Sequence, residues 1–254
     1  MENFILKILR GQPGHQYWEE FELNLVPFMN VISALMEIQK NPINRKGQKV
    51  EPVVWEMGCL EEVCGSCSML INGYPRQACT ALIEKIIGET GERTIALAPF
   101  SKFPLVRDLI VDRSSMFENL KKVHAWIDID NTYDKGPGPK ISQEKQEVMY
   151  SLSTCMTCGC CMEACPQVNK QSKFVGPQVL AQVRLFNANP TGKMKKAKRL
   201  RPLMEEGGLE DCGNAQNCVR VCPKNIPLTD AIAAIGRDIT LQAFKDLFSF
   251  PDRD

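Results

Sequence analysis

The chain has 254 residues, 44% of them hydrophobic and 24% charged, with a formal net charge of +1. That balance suits a soluble globule of one or two domains with a real core, and its near-neutrality gives no electrostatic footprint for a nucleic-acid partner. No apolar run approaches the roughly 18 residues of a spanning helix, so any membrane association is expected to be peripheral.

The first elements read as strands. Residues 4–9 and 21–25 alternate apolar and polar side chains, as half-buried strands do. Asn30 is placed to cap a helix over residues 31–40, whose apolar Val31, Ile32, Leu35 and Ile38 share one face. Asn72-Gly73, between residues 69–71 and 74–76, predicts a tight hairpin. Gly65 suits a backbone that curls closely around its neighbours.

Beyond residue 105 the pattern turns helical. Helices are expected over residues 143–152, over 177–187 with Pro177 in the first turn, and from Pro227 and Leu228 through Ile232, Ile235, Ile239 and Leu241 toward Phe248. Residues 131–139 read as loop, and their Gly-x-Gly lacks the remaining glycine of a phosphate-binding turn. The basic stretch over residues 193–201 reads as a solvated helix face, or else as a docking surface for anionic headgroups or a partner subunit. Two domains follow, 1–105 and 106–254.

Eleven of the twelve cysteines fall into ligand spacings. Cys59-x4-Cys64-x2-Cys67-x11-Cys79 is the plant-type [2Fe–2S] pattern, and the hairpin explains how Cys79 returns to the loop. Cys155-x2-Cys158-x2-Cys161-x3-Cys165-Pro166 is the bacterial ferredoxin run, answered by Cys212-x5-Cys218-x3-Cys222-Pro223. In two-cluster ferredoxins the fourth cysteine of each run crosses to the other cluster. Cys222 should therefore complete a [4Fe–4S] set with Cys155, Cys158 and Cys161. The other set is Cys165, Cys212 and Cys218, because its fourth place, position 215, is Ala. Three thiolates predict a [3Fe–4S] centre. Cys160 breaks the register and reads as a spare thiol, with an alternative ligand or a redox-sensitive site as the other reading.

The start of the chain shows none of the regions of a signal peptide, so disulfides are not expected. Structural zinc is the rival for each motif, but zinc sites draw cysteine pairs from separate knuckles rather than a three-cysteine run with a crossing fourth. No nucleotide fingerprint, Walker loop or nucleophile elbow is present. His15 and His124 are expected to pack or face solvent rather than act in catalysis or bind haem. An electron wire without a substrate site needs partners at both ends.

The ordered cysteine sets, with Pro75-Arg76-Gln77-Ala78-Cys79-Thr80, Lys173-Phe174-Val175-Gly176-Pro177, Val106-Arg107-Asp108-Leu109 and Asn30-Val31-Ile32-Ser33-Ala34-Leu35, resemble the iron–sulfur subunit of succinate dehydrogenases and fumarate reductases. The texture is most similar to menaquinone-linked enzymes of Gram-positive bacteria and some anaerobes. The resemblance implies an α+β chain, an N-terminal β-grasp [2Fe–2S] domain followed by a helical ferredoxin-like domain.

It also implies a role as one subunit of an enzyme whose catalytic site lies on another chain. A flavoprotein subunit with FAD would interconvert succinate and fumarate, and a membrane cytochrome b anchor carrying haem b would exchange electrons with menaquinone. The chain would then sit peripherally at the cytoplasmic face of the bacterial cell membrane. Ubiquinone-linked members carry tryptophans after the proline matching Pro166 and a histidine after the cysteine matching Cys212. Here Gln167-Val168-Asn169 and Gly213 stand there, which implies that quinone is held mainly by the anchor, with Pro166 and Gln167 at that interface. The other readings are an electron-transfer subunit for a different membrane-associated flavoenzyme and a non-redox zinc-binding module.

Overall fold

The computed structural model describes residues 2–128 and 140–248, and the loop expected over residues 131–139 lies outside them. Its contacts divide the chain into two units. Unit 1 is Met1–Arg113 with Met156–Glu163, and unit 2 is Ser114–Cys155 with Ala164–Asp254.

Unit 1 is built on a five-stranded sheet. The strands are β1 (Asn3–Gln12), β2 (His15–Asn24), β3 (Ser68–Ile71), β4 (Tyr74–Gln77) and β5 (Thr94–Ala98), in the order β2-β1-β5-β3-β4. β1 and β2 pair antiparallel with Leu6 opposite Phe21, while β1 and β5 run parallel with Leu6 opposite Ile95. Alternation puts Phe4, Leu6 and Ile8 on one face of β1, fully buried with Met69, Ile71, Ile95 and Leu97. Helix α1 (Val31–Lys40) covers that face with Val31, Ile32, Leu35 and Ile38. Its start is fixed by the expected cap: Asn30 Oδ1 accepts from Ser33 N at 2.8 Å, and Ser33 Oγ accepts from Asn30 N at 3.0 Å.

Two elements of this sheet layer have no counterpart among the strands and helices expected from the sequence: β5, and helix α2 (Ile83–Thr90). The Leu82 side chain gives α2 no capping bond, so no N-terminal signal announces it; Gly91, left-handed at φ 73°, ends it.

The domain limit expected at residue 105 falls inside unit 1. Strands β6 (Leu105–Arg107) and β7 (Ile110–Val111) flank Asp108, whose buried carboxylate ties the segment to β1. Asp108 Oδ1 accepts from Gly11 N at 2.7 Å, and its Oδ2 accepts from Val54 N at 2.9 Å and pairs with Arg10 at 3.4 Å. Residues 156–163 rejoin the unit through Glu163, whose carboxylate accepts from Ser101 N, Ser101 Oγ and Lys102 N at 3.0, 2.6 and 3.1 Å.

The helices of the remaining chain are α3 (Ser114–Lys122), α4 (Gln143–Ser153), α5 (Cys160–Ala164), α6 (Pro177–Ala188), α7 (Pro190–Lys193), α8 (Lys196–Leu200), α9 (Asn217–Arg220) and α10 (Leu228–Phe248). α5 begins in unit 1. In unit 2, α6 is central and buried along most of its length, packed by α3, α4 and α10. Val179, Leu180 and Val183 join Phe174, Val175, Leu200, Leu203 and Ile235 in the core.

The basic stretch is not one solvated helix face. It breaks into α7 and α8, and its Arg199 is buried, giving its guanidinium to the carbonyls of His124, Trp126 and Gly192 at 3.1, 2.7 and 2.6 Å. Lys196 pairs with Asp238, Lys195 with Asp128, and Arg201 with Asp246. These charges are spent largely on holding unit 2 together.

Candidate metal centres

The first cysteine set lies wholly in unit 1. Leu60, Glu62 and Gly65 adopt left-handed backbone at φ 62°, 56° and 74°, and this winds the loop around its own sulfurs. The amides of Glu61, Val63 and Cys64 donate to Cys59 Sγ at 3.3, 3.2 and 3.3 Å, and Cys59 N donates to Cys64 Sγ at 3.4 Å. Converging N–H groups stabilise a thiolate and not a thiol. Gly58 makes room for the winding, since a Cβ there would stand 2.9 Å from Cys64 Sγ.

Cys67 immediately precedes β3 and Cys79 follows β4, and the Asn72–Gly73 turn brings the two back together, with Ala78 N donating to Cys67 O at 3.1 Å. Asn30 Nδ2 also donates to Cys79 O at 2.9 Å, so the α1 cap holds the fourth cysteine of the set in place. The thiols are unequal. The Ser66 hydroxyl, with the amides of Cys59 and Ser66, holds Cys64 down to about 6, whereas burial pushes Cys67 up to about 12. Metal binding must displace the proton of the second.

Of the cysteines expected from the sequence to bind four irons, Cys158 and Cys161 belong to unit 1, and Cys155 and Cys222 to unit 2. Cys158 follows left-handed Thr157 and precedes left-handed Gly159, and a Cβ on Gly159 would crowd Phe100 and Phe103 at 3.3 Å. A hydrogen bond from Cys160, aided by the charge of Arg113, holds Cys158 down to about 7 against its burial, and the same bond drives Cys160 up. Cys155 lies just beyond the C-terminus of α4 and Cys222 just beyond α9.

The third set is gathered in unit 2. Cys165, Cys212 and Cys218 line one cavity together with Pro166, Gln167 and Ala215. Ala215 thus occupies the wall where a full ferredoxin run would offer a fourth thiol. Burial, then the neighbouring Cys165, pushes the Cys218 thiol up. Left-handed Asn214 and Gln216 bend the loop at φ 50° and 59°, and Asn217 Nδ2 ties it to Ala164 O at 3.1 Å. Gly213 is packed against Gln167, whose Nε2 would lie 2.6 Å from a Cβ there.

No disulfide joins any of the cysteines. Among the described residues, no three His, Cys, Asp or Glu side chains are arranged to hold a single metal ion. Thiols spread apart in this way suit a cluster, which shares them among several irons instead of gathering them on one. Cys160, fully buried in unit 1, hydrogen-bonds to the Gln77 amide. His15 opens β2, and His124 packs edge-on against Trp126.

The fold and these loops define a two-part ferredoxin-type electron carrier. Residues 5–118 match the family described as 2Fe-2S iron-sulfur cluster binding domain, and residues 151–226 match the 4Fe-4S dicluster domain. The succinate dehydrogenase iron-sulfur subunit of Bacillus subtilis is 62% identical over 232 residues, covering 91% of this chain and 90% of that protein. The fumarate reductase iron-sulfur subunit of Wolinella succinogenes is 29% identical over 224 residues, covering 87% and 89%. The same subunit from Escherichia coli is 32% identical over 239 residues, covering 92% and 91%.

In fold, the chain matches one from the Mycobacterium smegmatis Sdh1 complex in the apo form, with a TM-score of 0.78 over 99% of each chain at 22% identity. The chain belongs to the family of iron–sulfur subunits of succinate dehydrogenases and fumarate reductases. It is an electron-transfer subunit of an oxidoreductase, with [2Fe–2S]- and [4Fe–4S]-binding domains. Family membership sets aside the zinc-module reading.

Proposed function

We propose that the chain conducts electrons between a FAD-containing flavoprotein subunit, which interconverts succinate and fumarate, and menaquinone at a membrane cytochrome b anchor carrying haem b. The ligand assignment is Cys59, Cys64, Cys67 and Cys79 for [2Fe–2S], then Cys155, Cys158, Cys161 and Cys222 for [4Fe–4S], and Cys165, Cys212 and Cys218 for [3Fe–4S]. When bound, these clusters supply one-electron oxidation and reduction. The observation that carries the reading is the cavity lined by Cys165, Cys212, Cys218 and Ala215. It supports a three-iron terminus in a chain whose relatives are succinate and fumarate enzymes.

The chain's own residues hold, insulate and tune. Amides aimed at Cys59 Sγ and Cys64 Sγ offset thiolate charge, and burial of Cys67, Cys79 and Cys218 keeps water from the sulfurs. Pro166 and Gln167, which line the three-thiol cavity, form the interface toward the anchor. No helix among the described residues is long and apolar enough to cross a membrane. Our reading is of a peripheral subunit at the cytoplasmic face of the cell membrane, in keeping with its succinate dehydrogenase and fumarate reductase relatives.

The test is an EPR redox titration of the chain purified with its accompanying subunits, adding succinate, fumarate and a menaquinol analogue in turn. Three distinct centres are expected, the three-iron signal bleached by succinate or quinol and restored by fumarate. Clusters indifferent to both dicarboxylates would assign the chain to another flavoenzyme.

A further inference from the structure

Gln77 is wholly buried in unit 1, between Cys67 and Cys160. Its Oε1 accepts from Cys67 Sγ at 3.6 Å, and its Nε2 donates to Ser68 Oγ at 2.8 Å and to Cys160 Sγ at 3.5 Å. Ser68 Oγ also reaches the Gly65 carbonyl at 2.6 Å and the amide oxygen at 3.1 Å. Cys160 shares a further hydrogen bond with Cys158.

This pattern depends on a proton at Cys67, and a cysteine that ligates iron gives that proton up to solvent. The amide oxygen would then face an anionic sulfur. A half-turn of the amide exchanges its two ends, putting Nε2 beside Cys67 Sγ and Oε1 beside Cys160 Sγ. The neighbours accept the exchange. Ser68 O–H and Cys160 S–H can both donate to the relocated oxygen. The Gly65 carbonyl, released by Ser68, keeps its 2.7 Å bond from Arg113 Nη1.

We propose that Gln77 is a positioning residue for the two-iron centre, its amide donating to the Cys67 thiolate, and that Cys160 orients that amide by donating to its oxygen. The inference rests on the assignment of Cys67 to the two-iron set. It gives a task to the one cysteine outside the ligand spacings. With the amide reversed, Cys160 Sγ faces an oxygen in place of an N–H, and its proton is shared between that oxygen and Cys158 Sγ. Replacing a carbonyl oxygen by an N–H in front of a thiolate turns repulsion into a charge-assisted bond, so the arrangement that serves Cys67 prevails. A donor to a ligand sulfur stabilises the more negative, reduced state and raises the potential.

The test is an EPR redox titration of the purified multisubunit complex carrying Cys160→Ala, Cys160→Ser or Gln77→Met, beside the unaltered complex. Cys160→Ala and Gln77→Met are expected to lower the midpoint of the two-iron centre and leave the three-iron centre in place. Cys160→Ser keeps a donor and should shift it less. Unchanged two-iron midpoints in both Cys160→Ala and Gln77→Met overturn the proposal, as does a shift confined to the four-iron centre. Loss of the four-iron centre in Cys160→Ala overturns it by making Cys160 a ligand.

If the variants fail to assemble, pulsed EPR on unaltered complex labelled with 15N in the glutamine side chains decides. A nitrogen coupling to the reduced two-iron centre supports the proposal, and its absence overturns it. A missing two-iron signal in the unaltered complex is a separate failure, that of the Cys67 assignment itself.

Discussion

Gly65 and Cys158 touch backbone to backbone: a Cβ on Gly65 would stand 2.8 Å from the Cys158 Cα. Arg113 binds the same junction, donating to the carbonyls of Gly65, Ser66 and Cys158 at 2.7, 2.9 and 3.5 Å. The first cysteine loop and residues 156–159, both of unit 1, are thereby held as one piece.

Gly65→Ala tests that junction. The alanine must adopt φ 74° and also displace backbone. The left-handed conformation alone costs about 1–2 kcal/mol, and the clash adds to it. Reduced [2Fe–2S] content by EPR spin count and a lower melting temperature are expected. A variant with full cluster content and unchanged melting would show that the contact is not required.

Ala215→Cys should restore a fourth thiol to the cavity that holds Cys165, Cys212 and Cys218. The expected outcome is conversion of the proposed three-iron centre to a four-iron one, seen as loss of its oxidised EPR signal, a gain of one iron per chain, and a lower potential. An unaltered three-iron signal would mean that position 215 does not face the cluster.

Asn30→Ala removes the cap of α1 together with the 2.9 Å bond to Cys79 O. Loss of the cap costs about 1 kcal/mol. Losing the second bond as well should loosen the Cys79 segment, so the [2Fe–2S] centre is expected to bleach earlier than wild type in a denaturant series. Asn30→Asp retains the cap acceptor but not the donor, and separates the two effects.

Arg199→Met should destabilise unit 2 although it lies in a stretch that looks like surface charge. Three carbonyls lose this donor; those of His124 and Gly192 keep backbone donors, from Trp126 N at 2.8 Å and Lys195 N at 3.2 Å, so the cost of about 1–3 kcal/mol for a group left without a partner falls mainly on the Trp126 carbonyl. Lys193→Glu and Lys198→Glu, at exposed positions, should change stability by no more than about 0.5 kcal/mol. Thermal unfolding of the three variants checks the contrast. Salt-dependent membrane attachment of the two glutamate variants shows whether the exposed lysines take part in docking.

What could be read without the fold was local. Cysteine identity and spacing, the Asn72–Gly73 turn, the Asn30 cap and the Pro177 helix start each depend on residues a few positions apart, where covalent geometry and short-range hydrogen bonds dominate. β5 was within reach of the same reading, since Ile95 and Leu97 alternate as strand residues do. α2 was not, because it is short and its start lacks a side-chain cap.

The rest was decided by residues far apart in the chain. Composition marks 193–201 as basic, but only packing buries Arg199 and pairs Lys196 with Asp238. Asp108 draws the chain beyond residue 105 back to β1, Glu163 returns residues 156–163 to unit 1, and Gln77 meets Cys160 across 83 positions. Periodicity records which face of an element is apolar. It carries no record of which distant donor will meet which acceptor, because that follows from how the buried faces pack. The sequence alone therefore marked which thiols are candidates to bind iron, and the tertiary structure decided what surrounds their sulfurs.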